Sequence, residues 1–245
     1  SKNDMKGTIP TEVGYLSELE ILDVSKNDIK GTIPTEMGNL VMLKRLDLSG
    51  TNIEGTIPLE VFNSIRLHAF NVSKTLINGR IPTEVGNLTA LRKFDVSRNN
   101  ITGTIPTEVG NLINLVKLHA SENHISGTIP TELGRNEYLT SLKLDRNNLE
   151  GGIPSRLLDS LTLQNLYLND NRLSETFENI FNITVPNLPE LVNIVLTNNA
   201  IRGAIPTPEK LDNNKIERIE LGQNCIKGQL PDNLHFLFPK LKILN

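Results

Sequence analysis

Apolar residues return along the chain in two superposed rhythms. At Leu19, Leu43, Leu67, Leu91, Leu115, Leu139 and Leu163 a segment opens that reads L-x-x-L-x-L-x-x-N, with Phe or Val in some apolar slots. Inside it apolar and polar positions alternate with period two, which predicts a short strand with one buried face. The segments recur every 24 residues, a cycle too short to close a core of its own. Each must bury its apolar face against the next, so the pattern predicts a solenoid of about ten stacked turns.

A second string, G-T-I-P-T-E, keeps the same period at Gly7, Gly31, Gly103 and Gly127, with variants at Gly55, Gly79 and Gly151. Its Gly permits a tight bend, and its Pro removes a backbone donor where the chain turns outward. The Asn closing each strand segment falls at Asn3, Asn27, Asn99, Asn123, Asn147, Asn171, Asn199 and Asn224, with Thr51 and Thr75 standing in twice. An amide side chain both donates and accepts, so a stack of Asn is expected to satisfy the backbone groups exposed at each bend, and Thr to do part of that work. The columns Val13, Met37, Val61, Val85, Val109, Leu133 and Leu16, Leu40, Leu88, Leu112 are read as the outer layer of the core.

The full unit, L-x-x-L-x-L-x-x-N-x-I-x-G-x-I-P-x-E-x-G-x-L, resembles the plant-type leucine-rich repeats, and the likeness covers nearly the whole chain. It implies an α/β solenoid, curved and right-handed. A parallel sheet would line its concave side, a second short strand would follow in each turn, and the convex side would be irregular or 3-10 helical. The spelling T-I-P-T-E-x-G-N-L is similar to secreted or surface repeat proteins of algal protists as well as to land-plant receptors. The resemblance implies binding of a protein partner on the concave face, with no cofactor, in an extracellular or cell-surface setting.

The period breaks once. After Asn171 the next ladder steps, to Asn199 and Asn224, measure 28 and 25 residues, so 171–198 is an irregular longer cycle within a single solenoid spanning 1–245. Phe177 and Phe181 lie there, either filling extra convex volume or marking a partner surface. The sequence begins and ends inside a repeat, and the cap cysteines of related receptors are missing. The expectation is that the natural chain continues or that partner subunits cover the ends.

Charge and composition narrow the partners. Lys plus Arg number 25 against 28 Asp plus Glu, a net charge of -3, which disfavours nucleic acid. One Cys and four scattered His offer neither a disulfide framework nor a structural zinc site. No apolar run is long enough to span a bilayer. Aromatics make up 4% of the chain and Trp is absent, so anchors for tight protein binding are scarce.

Strand register assigns the concave columns. The central one reads Asp23, Asp47, Asn71, Asp95, His119, Lys143, Tyr167, Val195, Glu220, flanked on one side by Arg45, Lys93, Lys117 and Ser141 and on the other by Ser25, Ser49, Ser73, Ser97, Ser121, Asp145, Asn169. Arg45 beside Asp47 and Lys93 beside Asp95 are read as neutralised within the sheet. Tyr167 is the one aromatic on this face, so the expected partner site is Tyr167, Lys143, His119, Asp95, Asn169 and Val195. A polar groove for a sugar chain is the alternative. Columns of Thr (Thr8, Thr32, Thr56, Thr104, Thr128 and Thr11, Thr35, Thr83, Thr107, Thr131) resemble ice-binding solenoids, but Leu59, Arg80 and Gly152 interrupt them and a Glu row adjoins. Sequons at Asn71, Asn87, Asn100 and Asn182 are no more than chance gives for this composition. The register is expected to place no Ser, His and carboxylate as a triad, so the reading is a non-enzyme.

Overall fold

The computed structural model describes residues 3–180, 190–204, 215–230, 232, 235 and 238–245, and the side chains of 177 and 178 are outside that description. Ten strands form one parallel sheet in strict chain order: Ile21–Asp23, Arg45–Asp47, Ala69–Asn71, Lys93–Asp95, Lys117–His119, Ser141–Lys143, Asn165–Tyr167, Asn193–Val195, Arg218–Glu220 and Ile243–Leu244. Turns are numbered below by these strands. Each strand is short because only its middle residue faces the core, and Leu46, Phe70, Phe94, Leu118, Leu142 and Leu166 at that position are all buried.

The expected second strand is present in nearly every turn. Lys6–Thr8, Asp28–Thr32, Asn52–Gly55, Leu76–Gly79 and Asn100–Ile101 pair as a five-stranded sheet, followed by sheets of three and two strands. Among the described residues the convex side carries 3-10 helices from Thr11–Tyr15 to Thr131–Arg135, followed by the short α-helices Ser155–Leu158 and Phe177–Ile180. Each 3-10 helix starts after the Pro of G-x-I-P, whose φ between -74 and -60° is already set for the turn. The Pro carbonyl then accepts the first bond, as Pro106 does from the Val109 N–H at 3.2 Å.

The outer-layer columns are buried as expected except at Leu16, which is 53% exposed because its turn has a neighbour on one side only. The Leu column is also interrupted by Asn136, buried, with its Nδ2 donating to Val109 O and Leu112 O and its Oδ1 without a partner among the described residues. Turns three and four share an aromatic stack: Phe70 lies 5.3 Å from Phe94 and 6.0 Å from Phe62, centroid to centroid.

The Asn ladder locks the register. Asn123 Nδ2 donates to Ala120 O in its own turn at 3.1 Å and to Val96 O in the preceding turn at 3.0 Å, while its Oδ1 accepts from the Ile101 N–H at 3.0 Å. Asn147, Asn171, Asn199 and Asn224 repeat the scheme. Thr51 and Thr75 each offer a hydroxyl bond to the carbonyl three residues earlier, and the Thr75 hydroxyl and N–H also meet Asn99 Oδ1, at 2.6 and 3.2 Å. Before each ladder residue the backbone turns left-handed. Lys26, Lys74, Arg98, Glu122, Arg146, Asp170, Asn198 and Gln223 all have φ between 54 and 58°, a conformation that costs a non-Gly residue about 1–2 kcal/mol. Interturn bonds such as Arg98 N–H to Ser121 O at 2.8 Å hold it in place.

Candidate functional site

The concave columns stand in register as read from the sequence: Asp23, Asp47, Asn71, Asp95, His119, Lys143, Tyr167, Val195 and Glu220 are successive parallel partners. Over turns three to seven they form a shallow groove of about 390 Å³, lined by Asp95, His119, Lys143 and Tyr167 together with Ser73, Lys74, Ser97, Arg98, Ser121, Glu122 and Asp145. The second set comes from the bend after each strand. Its signal in the sequence is the fixed offset of two or three residues from the central column, and the left-handed backbone there aims Lys74, Arg98 and Glu122 along the groove wall.

Four expected site residues are thus brought together. Lys143 Nζ lies 4.9 Å from the Tyr167 ring centroid, a cation–π contact that covers one face of the ring. Asn169 is half-buried, is not among the residues that line the groove, and donates to Asp170 Oδ2 at 2.7 Å. Val195 keeps its place in the column but is only 4% exposed, because a short side chain between Tyr167 and Glu220 in the register is overshadowed by both; it offers a partner almost no surface. Phe177 opens a short helix, and Phe181 lies outside the described residues.

Asp95 is the electrostatic centre. Its side chain is 13% exposed, with Lys93 Nζ at 3.4 Å and His119 Nδ1 at 3.7 Å, and Oδ1 accepts from Ser97 Oγ at 2.8 Å and the Ser97 N–H at 3.2 Å. Burial pushes its pKa up, but the His119 contact, the two Ser97 bonds and the Lys93 charge outweigh burial and hold it at about 2. The neutralised pairs are real, with one revision. Arg45 sits closer to Asp23 of the preceding turn, at 2.8 Å, than to Asp47, at 3.5 Å.

A depressed carboxylate stabilises the fold once ionised. The folded value of about 2 lies below the ordinary value near 3.9, so the contribution is complete above pH ~4 and is lost as pH falls through ~2. Asn71 makes the same two bonds to Ser73 one turn away, so Asp95→Asn retains the Ser97 bonds and removes the charge. That variant is expected to be about 1–2 kcal/mol less stable than the parent at neutral pH, with the gap closing on acidification; urea unfolding of both chains across pH would show it.

One arrangement the register did not show comes near a triad without the hydrogen bond between its carboxylate and imidazole. His119 Nε2 lies 3.0 Å from Ser141 Oγ while Nδ1 faces Asp95, a carboxylate–imidazole–hydroxyl order made from two columns and three turns. Ser141 is 5% exposed, and the Thr140 and Ser141 N–H groups both donate to Val116 O, so these amides are committed to the sheet and do not face a developing oxyanion. The contact fixes the imidazole plane in the groove floor.

Asn87 and Asn100 are exposed on the outside of their turns, Asn71 is half-buried in the concave sheet with its Oδ1 engaged by Ser73, and Asn182 lies outside the described residues. The Thr columns are exposed, but Thr11, Thr35, Thr83, Thr107 and Thr131 each donate to the following Glu at 3.2 or 3.3 Å. Among the described residues no three His, Cys, Asp or Glu gather as a metal site, and no helix is long and apolar enough to cross a membrane.

Comparison with known proteins follows the same lines. The Leucine Rich Repeat family model matches residues 18–40, 42–64, 90–112 and 114–136. The plant peptide hormone receptor RGFR1, solved in complex with RGF2, superposes with a TM-score of 0.87 at 30% identity over 99% of this chain and 42% of the receptor chain. The ectodomain of the Arabidopsis receptor kinase HAESA, solved with an IDA peptide hormone, gives 0.88 at 28% identity over 100% and 41%. The chain carries leucine-rich repeats and folds as the repeat solenoid that these receptors share. A plant ice-binding protein also superposes on this repeat protein, with a TM-score of 0.84 at 28% identity over 97% of the chain and 76% of its own. The present chain spans about two fifths of the receptor chains it resembles. No curated protein matches it by sequence.

Proposed function

We propose that this leucine-rich repeat protein is a non-catalytic scaffold, presented outside the cell, that binds a peptide or protein loop across its concave face. The observation that carries this reading is the groove over turns three to seven: charged walls, a floor of Asp95 and His119, and the Tyr167–Lys143 plate at one end. That combination offers an amphipathic anchor beside polar groups already held in place, as protein interfaces favour. The likeness to receptor ectodomains solved with peptide hormones supports it. A sugar chain has less support, because the face holds a single aromatic on which a ring would stack.

Ice binding is the second reading, favoured by the exposed Thr columns and the similar plant ice-binding protein. It sits less well with the row Glu12, Glu36, Glu60, Glu84, Glu108, Glu132, of which all but Glu60 take up the hydroxyl of the preceding Thr. Thermal hysteresis is the property that separates the two readings.

The test of scaffold function is selection of displayed random peptides on the folded chain. Peptides that bind are expected to lose about tenfold in affinity on Tyr167→Ala, the truncation of an anchoring aromatic, and to tolerate Asp23→Ala. Equal or reversed losses would move the site elsewhere, and a library yielding no binder would reject the reading.

A further inference from the structure

Resting on that reading, we propose that the concave face over turns three to five recognises an extended acidic peptide segment. The chain carries a net charge of -3, yet this stretch is locally positive. Lys117 at the start of its strand, Arg92 one residue and Arg66 three residues ahead of theirs, and Lys74 in the bend beyond its strand are all exposed. Among the described residues no carboxylate stands within ion-pair distance of any of the four, although Lys93 and Arg98 in the same turns and the cations on the flanks have such partners.

The contrast with neighbouring turns gives this weight. At the matching positions of turn two, Lys44 meets Glu20 at 2.6 Å and Arg45 meets Asp23 at 2.8 Å. In turns nine and ten Arg218 meets Glu220 at 2.6 Å and Lys242 meets Glu217 at 2.8 Å. Between them, Lys93 and Lys117 are direct partners in the parallel register. Like charges placed opposite each other destabilise a strand pair, and only Lys93 is answered, by Asp95 at 3.4 Å. That carboxylate is already held by His119 and Ser97, so it has little left to offer Lys117. The face therefore carries uncompensated positive charge in the middle of a sheet whose flanks are neutralised.

The arrangement suits a chain and not a small ion. The cations are spread over three adjacent strands about 4.8 Å apart and around both ends of those strands, so no single point lies within reach of all of them. An extended peptide with several Asp or Glu side chains touches them in sequence, and its end reaches the Tyr167 plate. Complementary charge of this kind steers encounter and selects partners by sign.

Fluorescein-labelled octaglutamate, octalysine and an oligogalacturonate are the probes, read by anisotropy on the folded chain. Octaglutamate is expected to bind at about 0.1 M salt and to be released at about 1 M, where the Debye length falls to about 3 Å; octalysine is not expected to bind. The double variant Arg92→Glu, Lys117→Glu is expected to weaken octaglutamate by at least about tenfold, while Lys30→Glu on the outer strand leaves it unchanged, both variants keeping the parent's circular dichroism. Absent octaglutamate binding, or binding indifferent to the double variant, overturns the proposal. Equal binding of oligogalacturonate with the same dependence on Arg92 and Lys117 overturns its restriction to peptides. If library peptides that need Tyr167 still bind the double variant, the acidic-segment inference falls and the scaffold reading stands.

Discussion

Asn123→Ala is expected to lower the unfolding free energy by about 3 kcal/mol, and Asn123→Thr by roughly half as much. The asymmetry of the ladder sets the size. Val96 O and Ala120 O each accept from two successive amides, Val96 O from Asn99 and Asn123, Ala120 O from Asn123 and Asn147, so both keep a partner when Asn123 is truncated. The buried Ile101 N–H has only Asn123 Oδ1, and leaving it unpaired in the core, with the void of the lost amide, makes up most of the cost. Threonine fills part of the void and restores the bond to the carbonyl three residues back, as Thr51 does to Leu48 O at 2.7 Å. Urea unfolding of the three chains measures the series; a loss below about 1 kcal/mol for the alanine variant would mean that water replaces the amide freely.

Gly110→Ala is expected to cost about as much, for a steric reason. The convex 3-10 helices of successive turns approach so closely that a Cβ at Gly110 would stand 2.5 Å from Glu132 Cβ, 2.8 Å from its carbonyl oxygen and 3.0 Å from its carbonyl carbon. Backbone atoms cannot swing aside, so turns five and six must separate, and overpacking that moves backbone costs about 3 kcal/mol. Gly222→Ala, where the nearest atoms would be 3.7 Å away, is the control and should be close to neutral. Thermal unfolding of both variants distinguishes them: similar midpoints would show that the convex layer accommodates a methyl group without parting.

The columns of the concave sheet were legible in the sequence because a fixed period leaves no freedom in register; Asp47, Asn71, Asp95 and His119 had to be neighbours once the cycle was 24 residues. The ladder and the second strand were legible for the same reason. What the period did not show were distances set by side-chain reach. Arg45 turns to Asp23 of the preceding turn, and His119 bridges Asp95 and Ser141 across columns, because a long or planar side chain spans a strand spacing that the alphabet of columns treats as a boundary. Burial of Val195 followed from the sizes of its two neighbours. The Gly in T-E-x-G carried a readable hint: it recurs at Gly14, Gly38, Gly86, Gly110 and Gly134, facing the Glu of the next turn in the first four and Arg156 in the last, and only the packed helices show the clearance to be too small for a methyl. At Gly's place in turn three stands Phe62, fully buried and within 6.0 Å of Phe70, and in turn seven Leu158, also buried, so where the Gly is replaced the core takes a large apolar side chain.

The ladder also has a direction. Every amide from Asn99 to Asn224 crosses to the turn before it, donating to a carbonyl and accepting from an N–H that are both earlier in the chain. A polypeptide leaving the ribosome amino end first therefore carries each new coil's amide to a carbonyl and an N–H that have already been synthesised.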